Sequence, residues 1–450
     1  MPWYKDKFLI RFVAVLAFVK TLFFLYIYFK NPLGEQVLIF PDSLGYVYPA
    51  QTLLTYGHFW EAVTANPLIL RTPGYPLFLA LIQFGIGNLT WAVAIVQNIL
   101  SILLILPVYL TTRDLAGERA SRISAILTAI SVLYFSLSFA VLTEILCAFL
   151  LAWFVYFSLR FTKTPRMHTA VGAAIFLAAA IYVRPAAYYF AFVSCVFFFC
   201  TFRTYWKQIL CAFVLPLLVF LGAWHLRNFC TTGYAGFSTV NAYNLYFWNE
   251  DFVAQKNGLS IPQANEWLQA RLPKNFDSLP TREQVKAYRF LGTLLLKAGW
   301  KYKLLNAPRW AAKTLLGTNF IHTSRLLLGV PEDEQTLAFN MLNQTKNLHH
   351  DFLQSLKAKL IFGISFVQIF LTLLLALLGV LSSYKKAQKA LSFLTIYCLY
   401  FWGIGSVFFG AYARFRAPFE FVLCILGGLG ANALIPFLQA QCKRINQKGR

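Results

Sequence analysis

Charge is what this sequence has least of. Only 13% of its 450 residues are Asp, Glu, Lys or Arg, about half the roughly 25% of an ordinary soluble domain. With 58% hydrophobic residues and a mean hydropathy of +0.58, the shortage of charge excludes a soluble globule, a disordered chain and a disulfide scaffold. Acidic residues are the scarcer kind, 17 against 40 basic. Histidine and methionine are also sparse, at 6 and 3. The eight cysteines form no CxxC pair, so no thiolate zinc site or disulfide framework is read. Cys147, Cys195, Cys200, Cys211, Cys398 and Cys424 fall in apolar runs. There is no phosphate-cradling Gly-rich loop, no internal repeat and no low-complexity linker.

What is present is a series of long apolar runs, at about 8–29, 91–112, 123–140, 141–160, 168–183, 186–202, 208–226, 359–382, 390–411 and 417–438. A helix of about 20 residues crosses the ~30 Å hydrocarbon core. The expected fold is therefore an all-α polytopic membrane protein of about ten transmembrane helices, and the run at 8–29 reads as a retained first span. A further run, 74–88, is left out of the count because including it would invert the charge pattern of every later loop.

With that run omitted, one side carries Lys5, Lys7 and Arg11, then Arg113, Arg119 and Arg122, then Arg160, Lys163 and Arg166. It continues with Arg203 and Lys207, with Lys385, Lys386 and Lys389, and with Lys443, Arg444, Lys448 and Arg450. The short segments of the other side carry Lys30, Arg71, Arg184, Arg414 and Arg416. Cytoplasmic loops are the basic ones, so both termini are expected inside and 74–88 becomes an interfacial or half-inserted helix on the outer face. The net charge of +23 is then loop and headgroup charge, and nucleic acid is not an expected partner.

The domain plan has three parts. A transmembrane module spans 1–226 and contains a first outer loop, 30–90. A large extracytoplasmic loop spans 227–358. A second transmembrane module with a basic cytoplasmic tail covers 359–450. In the large loop, Val285, Tyr288, Leu291 and Leu295 recur at helical spacing, and 308–320 looks similar. Two interfacial amphipathic helices are expected there.

Ionisable residues at span ends of so apolar a chain are functional candidates. Asp42, in Pro41-Asp42-Ser43, suits a general base or a metal ligand, although an N-cap would account for one of Asp42 and Ser43. Glu144 stands at a tight apolar turn, where a carboxylate needs a partner. Arg71, Arg184, Arg227, Arg414 and Arg416 all lie on the outer side, against the positive-inside bias. Guanidinium groups grip phosphate oxygens through paired hydrogen bonds. Lys20 is the exception, a cation inside the first run. Together these residues fit group transfer from a phosphorylated amphiphile whose tail lies in the bilayer, with phosphate as leaving group.

The motifs resemble a known family. Pro41-Asp42-Ser43-x-x-Tyr46 with Gly57-His58-Phe59, then Arg71-Thr72-Pro73-Gly74-Tyr75-Pro76, resemble polyprenyl-phosphate-sugar glycosyltransferases of the GT-C fold. This is the protein O-mannosyltransferase-like and aminoarabinose-transferase-like group (family 39). Leu142-Thr143-Glu144, Val183-Arg184-Pro185, Arg227-Asn228 with Asn244-Leu245-Tyr246, and Tyr412-Ala413-Arg414-Phe415-Arg416-x-Pro418 follow in the family's order. The resemblance implies a GT-C-like bundle and an inverting hexosyl or pentosyl transferase that uses a lipid-phosphate sugar. It implies Asp42 as catalytic base or acceptor-positioning residue, and Glu144, Arg71, Arg184, Arg227, Arg414, Arg416 and Tyr46 as substrate-binding residues. It also implies a divalent metal (Mg, Mn or Zn) on Asp42 and Glu144. The partners implied are a polyprenyl-phosphate sugar, membrane lipids and an acceptor that is a lipid, glycan or protein, at a bacterial inner membrane. Two positions depart from the pattern. Ser43 stands where relatives carry a second acidic residue, and Arg71 lies one residue before the place of their lysine.

Two alternatives remain at this level. One is an O-antigen ligase-like or polymerase-like enzyme using His322, His349 or His350. The other is a lipid or glycan transporter without chemistry, for which inverted repeats would be expected.

Overall fold

The computed structural model describes residues 3–31, 35–61, 67–87, 89–329, 355–383, 387–408 and 412–448. Lys385, Lys386, Arg450, His349 and His350 lie outside them. The described residues are mostly helical and contain no strand, only an isolated bridge between Trp60 and Pro67. Among the described residues six helices are long and apolar enough to cross a membrane: Lys7–Lys30, Thr90–Ala129, Glu144–Lys163, Arg203–Thr232, Leu356–Ser383 and Ala413–Pro436. Shorter apolar helices cover Met167–Val183 and Pro185–Thr201, and another runs from Gln388 to Gly403. The protein is thus the polytopic all-α membrane bundle that its hydropathy calls for.

One expected span is broken, and the turn before it falls in the loop expected between 91–112 and 123–140. The stretch Thr90–Ala129 turns back on itself at Gly117, whose φ of +83° only glycine adopts at no cost. Within the expected 123–140 span the helix ends at Ala129 and restarts as Val132–Leu137. The break falls at Ser131, whose hydroxyl donates to Glu420 of the last helix at 2.9 Å. Gly74–Ile86 has 13 residues, about 20 Å at 1.5 Å per residue, too short to cross. Its Leu77, Leu81 and Phe84 are exposed, as befits a half-inserted helix.

Bundle packing relies on small residues. A Cβ on Gly379 would collide with the Leu426 carbonyl, and one on Gly430 with the Leu375 carbonyl. The Leu356–Ser383 helix and the last helix therefore touch backbone to backbone, which is the usual way apolar helices associate where lipid is as apolar as leucine. Lys20 is buried in the first helix and donates to Ser101 Oγ at 2.6 Å and Asn98 Oδ1 at 3.3 Å.

The large loop forms a helical cap. The expected pair of amphipathic helices is one helix, Thr281–Leu316, which runs straight through Pro308. Proline at 308 removes the hydrogen bond to the carbonyl of Leu304, but Leu304 is exposed, so that carbonyl can be solvated. The stripe Tyr288, Leu291 and Leu295 packs on a small core of Tyr246, Val253, Ala254, Ala264 and Leu268, supplied by helices Val240–Phe247, Glu250–Asn257 and Ile261–Gln269. A second face, with Phe290, Leu294, Leu304 and Leu305, stays exposed, as an interfacial helix requires.

Contacts also sort the two ends of the bundle. At one end Tyr109 bonds the Asp6 carboxylate, Arg122 lies over Phe8, Arg160 pairs with Asp114 at 3.0 Å and Lys389 lies over Phe202. These are the segments assigned to the basic side. Asp42, Arg71, Glu144, Arg184 and Arg414 meet at the other end.

Candidate active site

The Pro41–Tyr56 helix begins with Pro at its first position, where a missing N–H costs nothing. Ser43 does the capping. Its fully buried hydroxyl accepts from Phe40 N–H at 2.8 Å and donates to the Val141 carbonyl at 2.8 Å. Asp42 is thereby left to turn outward. One of its oxygens meets Arg71 Nη2 at 2.8 Å and the other Arg414 Nη2 at 2.6 Å. Burial alone would raise this carboxyl, but the charges of Arg414 and Arg71 outweigh it and hold Asp42 well below the ordinary carboxylate range.

Arg71 is positioned by backbone held from two sides. Glu61 accepts from Ile69 and Leu70 N–H at 3.0 and 2.8 Å. Opposite, Ser238 Oγ donates to the Leu70 carbonyl at 2.6 Å. Arg71 then lies over the Tyr46 ring, 4.9 Å from its centroid, and donates to the Tyr46 hydroxyl at 3.3 Å. Gly45 leaves room for it, since a Cβ there would stand 3.3 Å from Arg71 Nε.

Glu144 and Arg184 form a second pair, 2.7 Å apart, with Glu144 only 2% exposed. Arg184 Nη1 also donates to Thr143 Oγ1 at 3.0 Å. Glu144 opens its helix just after the turn, and Arg184 ends the preceding Met167–Val183 helix where Pro185 stops it. The two pairs are neighbours. The guanidinium carbons of Arg184 and Arg414 lie 5.7 and 5.5 Å from the centroid of the same ring, Phe415. Tyr75, fully buried, meets Tyr46 edge-on at 5.2 Å and lies in the field of Glu144. Gly74 brings it there, because a Cβ would stand 2.6 Å from the Tyr182 carbonyl carbon.

Arg227 and Arg416 are placed elsewhere. Arg227 donates to the Leu68 carbonyl at 2.7 Å and stacks on Trp224, so it holds the segment that carries Arg71. Arg416 is buried, pairs with Glu420 at 2.5 Å, and donates to the Thr314, Leu315 and Gly317 carbonyls. It caps the C-terminus of the long cap helix. His322 is also buried, with Nε2 3.0 Å from the Ser136 carbonyl.

The donor set does not fit a divalent ion in this arrangement. Both Asp42 oxygens face guanidinium groups, while the Glu144 oxygens face Arg184 and Thr143. Among the described residues no group of three or more His, Cys, Asp or Glu is placed to hold a metal. The cluster instead sets three guanidinium groups against two carboxylates, a net positive charge. Three polar atoms of one short segment, Arg71 Nε, Thr72 Oγ1 and Tyr75 Oη, are also buried without a partner among the described residues. Tyr75 and Glu61 were not singled out from the sequence. Tyr75 stands within a quoted motif, whereas nothing local marks Glu61.

Residues 70–225 match the family model of dolichyl-phosphate-mannose-protein mannosyltransferases, the kind of protein that the motifs resemble. No curated protein matches the chain. Among solved structures, it is similar to the oligosaccharyltransferase AglB of Archaeoglobus fulgidus, in a complex with an inhibitory peptide and a dolichol-phosphate. Identity there is 15%, with 99% of this chain and 52% of that one covered and a TM-score of 0.48. It is also similar to ArnT of Cupriavidus metallidurans bound to undecaprenyl phosphate, at 12% identity, 93% and 77% coverage and a TM-score of 0.43. The chain spans about half the length of the archaeal structures.

Proposed function

We propose that the protein is a membrane glycosyltransferase that moves a sugar from a polyprenyl-phosphate donor to an acceptor hydroxyl, with inversion, on the extracytoplasmic face. The observation that carries this reading is the excess of guanidinium over carboxylate around Asp42, at the end of the bundle opposite the basic loops. A donor phosphodiester is a monoanion, and the cluster has one uncompensated positive charge to receive it. The family match over 70–225 supports the same chemistry and covers Arg71, Glu144 and Arg184.

In this reading the lipid tail lies in the bilayer beside the exposed face of Gly74–Ile86, and the phosphate reaches Arg184 and Arg414. Each guanidinium has five N–H donors, and the ion pairs use only one terminal nitrogen of each. The remaining donors can meet the phosphate as negative charge develops on it, which is where preorganised donors help most. Asp42 fixes Arg71 and Arg414 and orients the acceptor hydroxyl opposite the leaving phosphate. The cap closes over this end of the bundle and selects the acceptor.

The test is a turnover assay on purified full-length protein in nanodiscs. A panel of polyprenyl-phosphate monosaccharides is supplied with native membrane extract. Release of polyprenyl phosphate, with a matching mass gain in one extract component, is expected. Removing one oxyanion donor typically costs 10²–10³-fold in rate, and Arg414→Ala is expected to lose about that much. Equal turnover by wild type, Asp42→Asn and Arg414→Ala would remove the site from the reaction.

A further inference from the structure

The outer face of the long cap helix combines two properties that pull in different directions. Along Thr281–Leu316 the positions Phe290, Leu294, Lys297, Lys301 and Leu304 follow one another every three or four residues, and all five are exposed. That spacing puts them on one stripe of the helix. Gly292 and Gly299 mark the packed side, where a Cβ would run into the Leu245 carbonyl and the Phe252 ring. Trp300 flanks the stripe, exposed, with Lys301 Nζ 5.7 Å from the centroid of its ring. No acidic residue follows Glu283 in this helix, and Glu283 itself pairs with Lys286 at 2.7 Å. Among the described residues no carboxylate pairs with Lys297 or Lys301.

This mixture decides what kind of surface covers the stripe. A dry protein partner would bury two lysines among leucines without counter-charge, which is costly. Water alone would leave a contiguous apolar face wet. Phospholipid headgroups suit both kinds of side chain. Lysine stems lie along apolar surface while their ammonium groups reach outward to phosphate, and tryptophan favours headgroup depth. The helix is also placed at that depth. Arg416 holds its C-terminal end through the Thr314, Leu315 and Gly317 carbonyls. Trp402 Nε1, next to the end of the apolar helix Gln388–Gly403, donates to the Ala311 carbonyl at 3.1 Å. The cap helix therefore leaves the bundle where an apolar helix stops.

We propose that this face docks on anionic phospholipid headgroups of the leaflet at the Asp42 end of the bundle, with Lys297 and Lys301 selecting for negative charge. These lipids surround the cap and are not the transferred group, so the docking does not depend on the transfer reaction described above. Basic side chains close to an anionic surface are attracted by it, and salt screens that attraction.

The test places the full chain in nanodiscs of phosphatidylcholine, or of phosphatidylcholine mixed with phosphatidylglycerol. Each disc also carries a phospholipid spin-labelled near its headgroup, a short-range quencher of tryptophan fluorescence. The signal of Trp300 is the difference between wild type and Trp300→Phe. Strong quenching is expected with phosphatidylglycerol. It should fall several-fold in Lys297→Gln/Lys301→Gln and at high salt, since each basic side chain near such a surface is worth about fivefold. Phosphatidylcholine alone should give the level of the double variant. Unchanged thermal unfolding of that variant in detergent is expected, and a shared loss of fold and quenching would overturn the assignment of the lysines to lipid. Trp300 unquenched in both discs would overturn the docking, as would cross-linking of this face to a second copy. Equal quenching in both lipids, unmoved by the double variant, would overturn the selection of anionic headgroups. None of these readouts uses turnover, so a chain without transferase activity leaves them intact.

Discussion

Arg414 and Arg416 are separated by one residue and serve different ends. Arg414 faces Asp42, whereas Arg416 turns into the protein, to Glu420 and the end of the cap helix. Both were visible in the sequence as outer-side arginines running against the charge bias. Their separate roles were not, because these depend on Glu420, a carboxylate inside an apolar run whose partners lie on other elements. The distinction predicts different losses. Breaking a buried ion pair by removing one partner costs about 3–5 kcal/mol, so Arg416→Met is expected to lower the unfolding temperature in detergent sharply. Arg414→Ala leaves Asp42 its Arg71 partner and is expected to lower it much less, while cutting turnover by about 10²–10³-fold. Similar thermal losses in both would contradict this assignment. Asp42 carries a pH prediction. Its folded-state carboxyl lies below the unfolded value of ~3.9, so its contribution is fully present above that value and is lost as pH falls through the lower folded one. The stability gap between wild type and Asp42→Asn should therefore hold from neutral pH to about 5 and narrow only in strong acid. A gap that closes already at about pH 6 would contradict the double clasp.

At the scale of elements, glycine and proline place the site. Gly74 lets the start of its helix touch the backbone of Tyr182 and Val183, one residue before Arg184, so one contact sets Arg71 and Tyr75 relative to Arg184. Gly74→Ala is expected to keep the bundle folded but to displace Tyr75, weakening polyprenyl-phosphate binding by about tenfold or more, since a ~1.4 kcal/mol misfit is a tenfold change. Unchanged binding would show that the contact does not tune the site. The turn at Arg184-Pro185 was legible, because it falls between the apolar runs 168–183 and 186–202. The break at Ser131 was not. An apolar run reports that a segment can cross, and the interruption comes from a hydroxyl reaching Glu420 in the last helix. The long cap helix shows the converse: Pro308 looks like a boundary in sequence and is accommodated because the carbonyl it frees lies on an exposed turn.

Over the whole molecule, the lopsided charge that excluded a soluble fold also orders the bundle. The segments read as cytoplasmic from their basic residues contact one another at one end, and Asp42 and Arg414, 372 positions apart in the chain, meet at the other. Charge counting made this sidedness legible because it adds up over every loop. It left the cap illegible, since three short helices around Tyr246 and Leu268 carry no long periodic signal. The central claim is that this end of the bundle holds an anionic lipid headgroup with Arg184 and Arg414. Native mass spectrometry of the full chain with polyprenyl phosphate tests it most directly. The account predicts retained lipid on wild type and its loss from the Arg184→Ala/Arg414→Ala double variant. Equal retention by both proteins would contradict it.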